Sequence, residues 1–187
     1  MKVGIIGGSF NPIHNCHLDL ARYVIKHKFV DEVWIMPCKI HPLNKSIIPE
    51  NFRVDMINLA IKDLAHVKLC DIELKKKHTS YTYGTLRELK QLYDNDFYLI
   101  MGADLLKQLD KWKGYEQLKE EAKFIVFSRP GYVLRNPGLN IARLVEYAVG
   151  DISSTDIRER IKQGRSIEDL IPKVVAEYIL KFGLYVE

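Results

Sequence analysis

Cysteine is scarce in this sequence. Cys16, Cys38 and Cys70 are its three thiols, an odd number without the paired spacing of a zinc site or a redox motif. They read as reduced side chains in a cytoplasmic protein. Long apolar runs are missing too. None approaches the roughly 20 residues that cross a bilayer, so no membrane association is expected. Met1–Lys2 leads straight into Val3–Ile6, without the basic start and cleavage site of a signal peptide. No repeat, low-complexity tract or linker divides the chain, which reads as one domain over 1–187. A strong charge of one sign is also absent: 28 basic against 24 acidic residues leave a net charge of +4. That is too mild, and too free of basic stripes interleaved with aromatics, for a nucleic-acid partner. It suits a protein that handles anionic metabolites. The one dense basic run, Lys75–Lys77, reads as a solvated loop.

What is present alternates. Val3–Ile6, Glu32–Met36, Val67–Ile72, Phe97–Met101, Lys123–Ser128 and Ala142–Ala148 read as strands. Between and after them come helical patterns. Leu18, Ala21 and Ile25 place an apolar face on the first helix. Asn51–Leu64 follows, with Met56, Leu59, Ala60 and Asp63 on one line. Thr82–Tyr93, Thr155–Lys162 and Pro172–Phe182 complete the helices, Gly164 stopping one and Pro172 opening another. Pro37 ends the second strand, since it lacks the N–H that a sheet interior needs. The pattern predicts an α/β, Rossmann-like, doubly wound and mainly parallel sheet with helices on both faces and a helical C-terminal segment. In such a fold ligands gather beyond the carboxyl ends of the strands, where helix N-termini offer N–H groups to anions.

The most informative stretch stands at such a place. Gly7–His17 reads GGSFNPIHNCH, directly after the first strand. It is neither the G-x-G-x-x-G dinucleotide fingerprint nor a P-loop, because no Gly-Lys-Ser/Thr follows and Asn11-Pro12 interrupts. What remains is a glycine loop that lets backbone approach a phosphate, then H-x-x-H on the entry turn of a helix. His14 and His17, three apart, can face the same side. Paired imidazoles there can bind anionic oxygens and follow the charge of a displaced phosphoryl group. Zinc is the competing reading, but His41, His66 and His78 have no compelling metal spacing. A second stretch, ISSTDIR at Ile152–Arg158, places a Ser at a helix N-cap and a forked, permanently charged Arg158 one turn further in.

Together these two stretches resemble the nucleotidylyltransferases, whose signatures are G-G-[ST]-F-[DN]-P-x-H-x-x-H and I-S-S-T-x-I-R. The resemblance implies transfer of a nucleoside monophosphate from a nucleoside triphosphate. Three further stretches, SYTYGTLREL (80–89), MGADLLKQLDKW (101–112) and GRSIEDLIPKVVAEYILKFGLY (164–185), resemble the nicotinate-mononucleotide adenylyltransferase branch, over nearly the whole chain. By that resemblance Gly7, Gly8, Ser9, Phe10, His14 and His17 would bind ATP with Ser153, Ser154, Thr155 and Arg158, while Gly102 and Asp104 meet the ribose. His14, His17 and Arg158 would be catalytic. Thr85 and Trp112 would hold the pyridine ring; an indole face is independently a good platform for a flat pyridinium.

Some positions depart from the branch. Cys16 stands where H-x-G-H has glycine, and Gly84 where an aspartate is frequent. The loop that usually reads Pro-Pro-His-Lys or Pro-Pro-His-Arg reads PCKIHPLNK here, so Lys39, His41 or Lys45 would take over the acceptor phosphate. Mg2+ would enter bound through the ATP phosphates, with no protein ligand. Nicotinamide mononucleotide, another phosphorylated acceptor, and a non-catalytic nucleotide sensor are the alternatives. A homo-oligomer stays open. The loop from Pro37 to Asn51, long and proline-bearing, reads as a lid over the acceptor phosphate.

Overall fold

The computed structural model of the chain describes residues 1–40, 46–129, 131–132, 136, 138–147, 150 and 152–186. Six strands form one sheet: β1 (Lys2–Gly8), β2 (Glu32–Pro37), β3 (Val67–Leu69), β4 (Asp96–Gly102), β5 (Lys123–Phe127) and β6 (Ile141–Val145). Their spatial order is β3-β2-β1-β4-β5-β6, and every neighbouring pair is parallel. The doubly wound expectation is met, with the sheet wholly rather than mainly parallel.

Period-two alternation explains how both faces of the sheet are covered. In β2, Val33 and Ile35 join one apolar cluster, while Trp34 and Met36 join the other. In β5, Ile125 and Phe127 turn to the first and Phe124 and Val126 to the second. A strand buried on both faces must therefore read as an unbroken apolar run. Helices α1 (Asn15–Lys26), α2 (Glu50–Ile61) and α6 (Lys173–Phe182) supply Leu18, Ala21, Val24, Met56, Ile57, Val175 and Ile179 to the first cluster. Helices α3 (Thr82–Leu92) and α4 (Tyr115–Glu121) supply Leu86, Leu89 and Leu118 to the second. Helix α5 (Ser154–Lys162) buries Ile157 against the first.

Four local features differ from expectation. The third strand is shorter than Val67–Ile72: the Cys70 N–H still donates to the Ile35 carbonyl at 2.8 Å, and then an Asp71–Leu74 turn leaves the sheet edge. Helix α2 buries Arg53, Met56, Ile57 and Ile61 rather than the expected line, and Leu59 is exposed. A buried arginine hides the true face of that helix from a reading by apolar spacing. Two short elements between β4 and β5 were unforeseen: a 3₁₀ segment over Ala103–Lys111 and α4, parted by Gly114 at φ 78°. The expected strand Ala142–Ala148 becomes Ile141–Val145, and Ala148 lies outside the described residues.

Candidate active site

Strands β1 and β4 are adjacent, yet the chain leaves β1 toward β2 and leaves β4 toward β5. This is the switch point at which a doubly wound sheet opens a crevice. The glycine loop emerges there. Gly7 and Gly8 are not forced by backbone conformation, since neither has a positive φ. A Cβ on Gly7 would meet only the Met36 methyl at 3.8 Å. Protein packing does not demand glycine at 7, and the space on that side is open. Phe10, by contrast, is 1 % exposed and packs edge-on to His17 at 4.9 Å. It supports the loop from beneath rather than facing a nucleotide.

His14 is the extended residue before α1, and His17 lies one turn in. Their rings stack with centroids 3.7 Å apart and planes at 30°, so the expected shared face is real. The His14 backbone N–H donates to His17 Nδ1 at 3.3 Å. With Nδ1 accepting, a neutral His17 carries its proton on Nε2. Burial, aided by the Arg129 charge, pushes His14 down to about 3. Burial, His14 and Arg129 hold His17 well below its ordinary range. Both rings are therefore neutral donors at pH 7, not imidazolium cations. His14 Nδ1 is buried and has no hydrogen-bond partner among the described residues, which suits a ligand or solvent atom.

Across the crevice, Asp104 pairs with Arg129, Nε to Oδ1 at 3.3 Å. Gly102 makes room for this pair: a Cβ there would collide with Asp104 Oδ1 and lie 3.2 Å from Arg129 Nε. Arg129 was missed by sequence reasoning. The signal available was its place, directly beyond the carboxyl end of β5, where site residues of this fold collect.

Helix α5 closes the other side. The Ser153 hydroxyl caps it, accepting from the Asp156 N–H at 3.1 Å and donating to the Asp156 carboxylate at 2.6 Å. Ser154 donates to the Pro12 carbonyl at 2.9 Å. Arg158 donates to the Asn11 carbonyl at 2.9 Å and to Thr155 Oγ1 at 3.3 Å. The α5 N-terminus is thus stitched to the glycine loop, and its partial positive charge lies at the crevice.

The expected acceptor residues are placed differently. Lys39 donates to the Leu74 carbonyl at 3.1 Å and lies 3.7 Å from Glu50, linking the Asp71–Leu74 turn to the start of α2. His41 and Lys45, and with them the centre of the expected lid, lie outside the described residues. Trp112 is half-buried against the second cluster. Thr85 is fully buried; its hydroxyl donates to Glu73 at 2.7 Å and its N–H to the Tyr81 carbonyl at 3.1 Å. It anchors the start of α3 from below, and neither donor is left for a pyridine carboxylate. Burial pushes the Glu73 carboxyl up, with Thr85 and Lys76 drawing it back.

Residues 5–160 match the cytidylyltransferase-like family. The chain is 39% identical over 188 residues to the nicotinate-nucleotide adenylyltransferase of Bacillus subtilis, covering 98% of each. It is 36% identical over 197 residues to a probable nicotinate-nucleotide adenylyltransferase of Clostridium tetani, again 98% of each. In fold it resembles Plasmodium falciparum nicotinic acid mononucleotide adenylyltransferase complexed with NaAD. That likeness has a TM-score of 0.85 at 24% identity, over 98% of this chain and 97% of the other.

Proposed function

The chain belongs to the nicotinate-nucleotide adenylyltransferase family, and from that premise we propose how its own residues divide the work. The protein transfers the adenylyl group of ATP to the phosphate of nicotinate mononucleotide, giving deamido-NAD and pyrophosphate in NAD biosynthesis. An oxygen of the acceptor phosphate forms the new bond to the α-phosphorus as the bond to the β-phosphate oxygen breaks. That phosphate is already ionised at pH 7, so no general base and no covalent enzyme intermediate are required. Catalysis is positioning and charge stabilisation.

The observation that carries this division is the stacked His14–His17 pair at the start of α1, which follows the glycine loop, both rings held below their ordinary pKa by burial and Arg129. His17 Nε2–H donates to an α-phosphate oxygen, and the bond strengthens as charge gathers there. A neutral donor does this without holding the ground-state triphosphate too tightly. Arg158, Arg129 and the α5 N-terminus receive the departing pyrophosphate. Asp104 and Gly102 take the ATP ribose, and Trp112 gives the pyridine ring its platform. Among the described residues no three His, Cys, Asp or Glu side chains converge as a metal site. Mg2+ would enter with the nucleotide, bound mainly through its phosphates, and would neutralise the triphosphate charge.

At the acceptor end, Lys39 is the proposed phosphate ligand among the described residues, with His41 and Lys45 in the same loop. At that end a site lined by backbone N–H groups would favour a carboxylate, which only accepts, over a carboxamide with two donors of its own. We also place the enzyme in the cytoplasm, where its substrates occur and where its three cysteines, all thiols, stay reduced. No helix among the described residues is long and apolar enough to cross a membrane.

The test is pyrophosphate release from ATP with nicotinate mononucleotide, nicotinamide mononucleotide, phosphopantetheine and a sugar phosphate in parallel. Turnover with the nicotinate acceptor, at a kcat/KM roughly tenfold or more above the nicotinamide one, is expected. Equal values would overturn the acid-selective pocket, and turnover only with another acceptor would overturn the assignment.

A further inference from the structure

The largest fully buried side chain of the described residues is not apolar. It is Arg53, 1 % exposed, projecting from α2 into the base of the crevice. Its Nη1 donates to the carbonyls of Ser9 and Cys38, each at 2.8 Å, and its Nε to that of Ile48 at 3.1 Å. Those carbonyls belong to three separate segments: the glycine loop, the residue after β2, and the approach to α2. The Cys38 N–H donates to the Gly8 carbonyl at 3.0 Å. Beyond that bond the two chains part, Ser9 toward the histidines and Cys38 toward the acceptor loop. The guanidinium sits in the fork.

The next turn of the glycine loop is held in the same manner. Asn11 is 3 % exposed, and its Oδ1 accepts from the Tyr185 hydroxyl at 2.8 Å and from the Ile48 N–H at 3.4 Å. Tyr185 reaches it from the C-terminal tail, 174 residues away in sequence. Among the described residues Arg53 has no carboxylate at ion-pair distance, and its Nε and Nη1 donate to backbone carbonyls. Filling this volume alone would be cheaper with leucine or methionine, since burying a charge carries a desolvation penalty. A planar fork does what an apolar side chain cannot: it fixes the directions and separations of several carbonyls at once.

We propose that Arg53 is a positioning residue for adenylyl transfer, with Tyr185 as its partner on Asn11. Together they hold the donor loop 9–11 at a set distance from the acceptor side at Cys38, so that the attacking phosphate and the α-phosphorus meet in line. The proposal rests on the division of the crevice into a donor side at the glycine loop and an acceptor side beyond β2. A misplacement of about 1 Å between reacting groups is enough to lower a rate by roughly two orders of magnitude, so the loss should appear in kcat.

Arg53→Lys and Tyr185→Phe test this, assayed well below their melting temperatures for kcat, both KM values and the Kd of ATP alone. Lysine keeps the charge but cannot span three carbonyls; phenylalanine loses one hydroxyl and no carbon. The expected result is a kcat lowered by about 30-fold or more in Arg53→Lys and about fivefold in Tyr185→Phe, with the ATP Kd within about threefold of wild type. Should Arg53→Lys fail to fold, Tyr185→Phe decides alone. A melting temperature that falls while kcat per folded molecule stays within about twofold overturns the proposal. So does a weakened ATP Kd at unchanged kcat, because the residues would then serve stability or binding only. A wild-type protein that releases no pyrophosphate from ATP and nicotinate mononucleotide would instead sink the reading of the site, before any variant is made.

Discussion

The proposed donor and acceptor sides of the crevice are built in opposite ways. On the donor side, the glycine loop and the two histidines occupy eleven consecutive residues, Gly7–His17. A strand end, a loop and one helical turn set the spacing of these residues, while Arg53, Ser154, Arg158 and Tyr185 tie the loop to the rest of the fold. On the acceptor side, Lys39, Thr85 and Trp112 come from three distant segments, and two of them hold other protein groups: Lys39 the Leu74 carbonyl, Thr85 the Glu73 carboxylate. A contiguous motif fixes the spacing of its own residues. A site assembled from several segments is shaped by whatever packs beneath it.

The largest expected effect lies on the donor side. His17→Ala should lower kcat by a factor equivalent to about 3–4 kcal/mol, the usual worth of a donor that acts in the transition state. The KM for ATP should change far less. Pyrophosphate-release kinetics check this, and near-wild-type turnover would make the motif structural and erase the contrast.

The same pair predicts a pH dependence of stability. A histidine held neutral in the fold binds fewer protons there than in the unfolded chain, where its pKa is near 6.5. Unfolding is therefore favoured as pH falls below about 6.5, and for His14 this continues to about 3. The slope should approach about 1.4 kcal/mol per pH unit for each such histidine. Urea unfolding at pH 7, 6 and 5, compared with His14→Ala, measures it; an equal slope in the variant would mean that His14 is not held neutral by the fold.

On the acceptor side the expected losses are of stability more than of rate. Thr85→Val keeps the shape but leaves the buried Glu73 carboxyl without its closest donor, at a cost of about 1–3 kcal/mol. Thr85→Ser should restore most of it. A Thr85→Val variant of unchanged stability but a much raised KM for nicotinate mononucleotide would show that the hydroxyl meets substrate after all.

Arg158→Lys should raise the KM for ATP and weaken inhibition by pyrophosphate by about 1–2 kcal/mol, since lysine cannot reproduce the two-pronged contact. Unchanged pyrophosphate inhibition would remove Arg158 from the polyphosphate side. The smallest effect is expected for Lys39→Ala, a severalfold rise in the KM for nicotinate mononucleotide worth about 1 kcal/mol, at constant kcat. No change there would shift the phosphate contact to His41 or Lys45.

By itself the sequence determined the alternation of apolar runs and helices, and with it the parallel sheet, because strands buried on both faces can be written in no other way. It also determined the placement of Gly7, Gly8, His14, His17 and the capped start of α5, since turn chemistry and helical spacing act over a few residues. Only the tertiary structure decided that the histidines are pushed toward their neutral forms, because burial and the nearness of Arg129, more than a hundred positions away, come only with folding. It decided that Thr85 is a buried anchor, that Arg129 faces Asp104, and that Arg53 binds three carbonyls. Each of these is a long-range pairing of polar groups out of water. Composition and spacing carry no record of such pairings, since any exposed arginine or threonine would be written with the same letter.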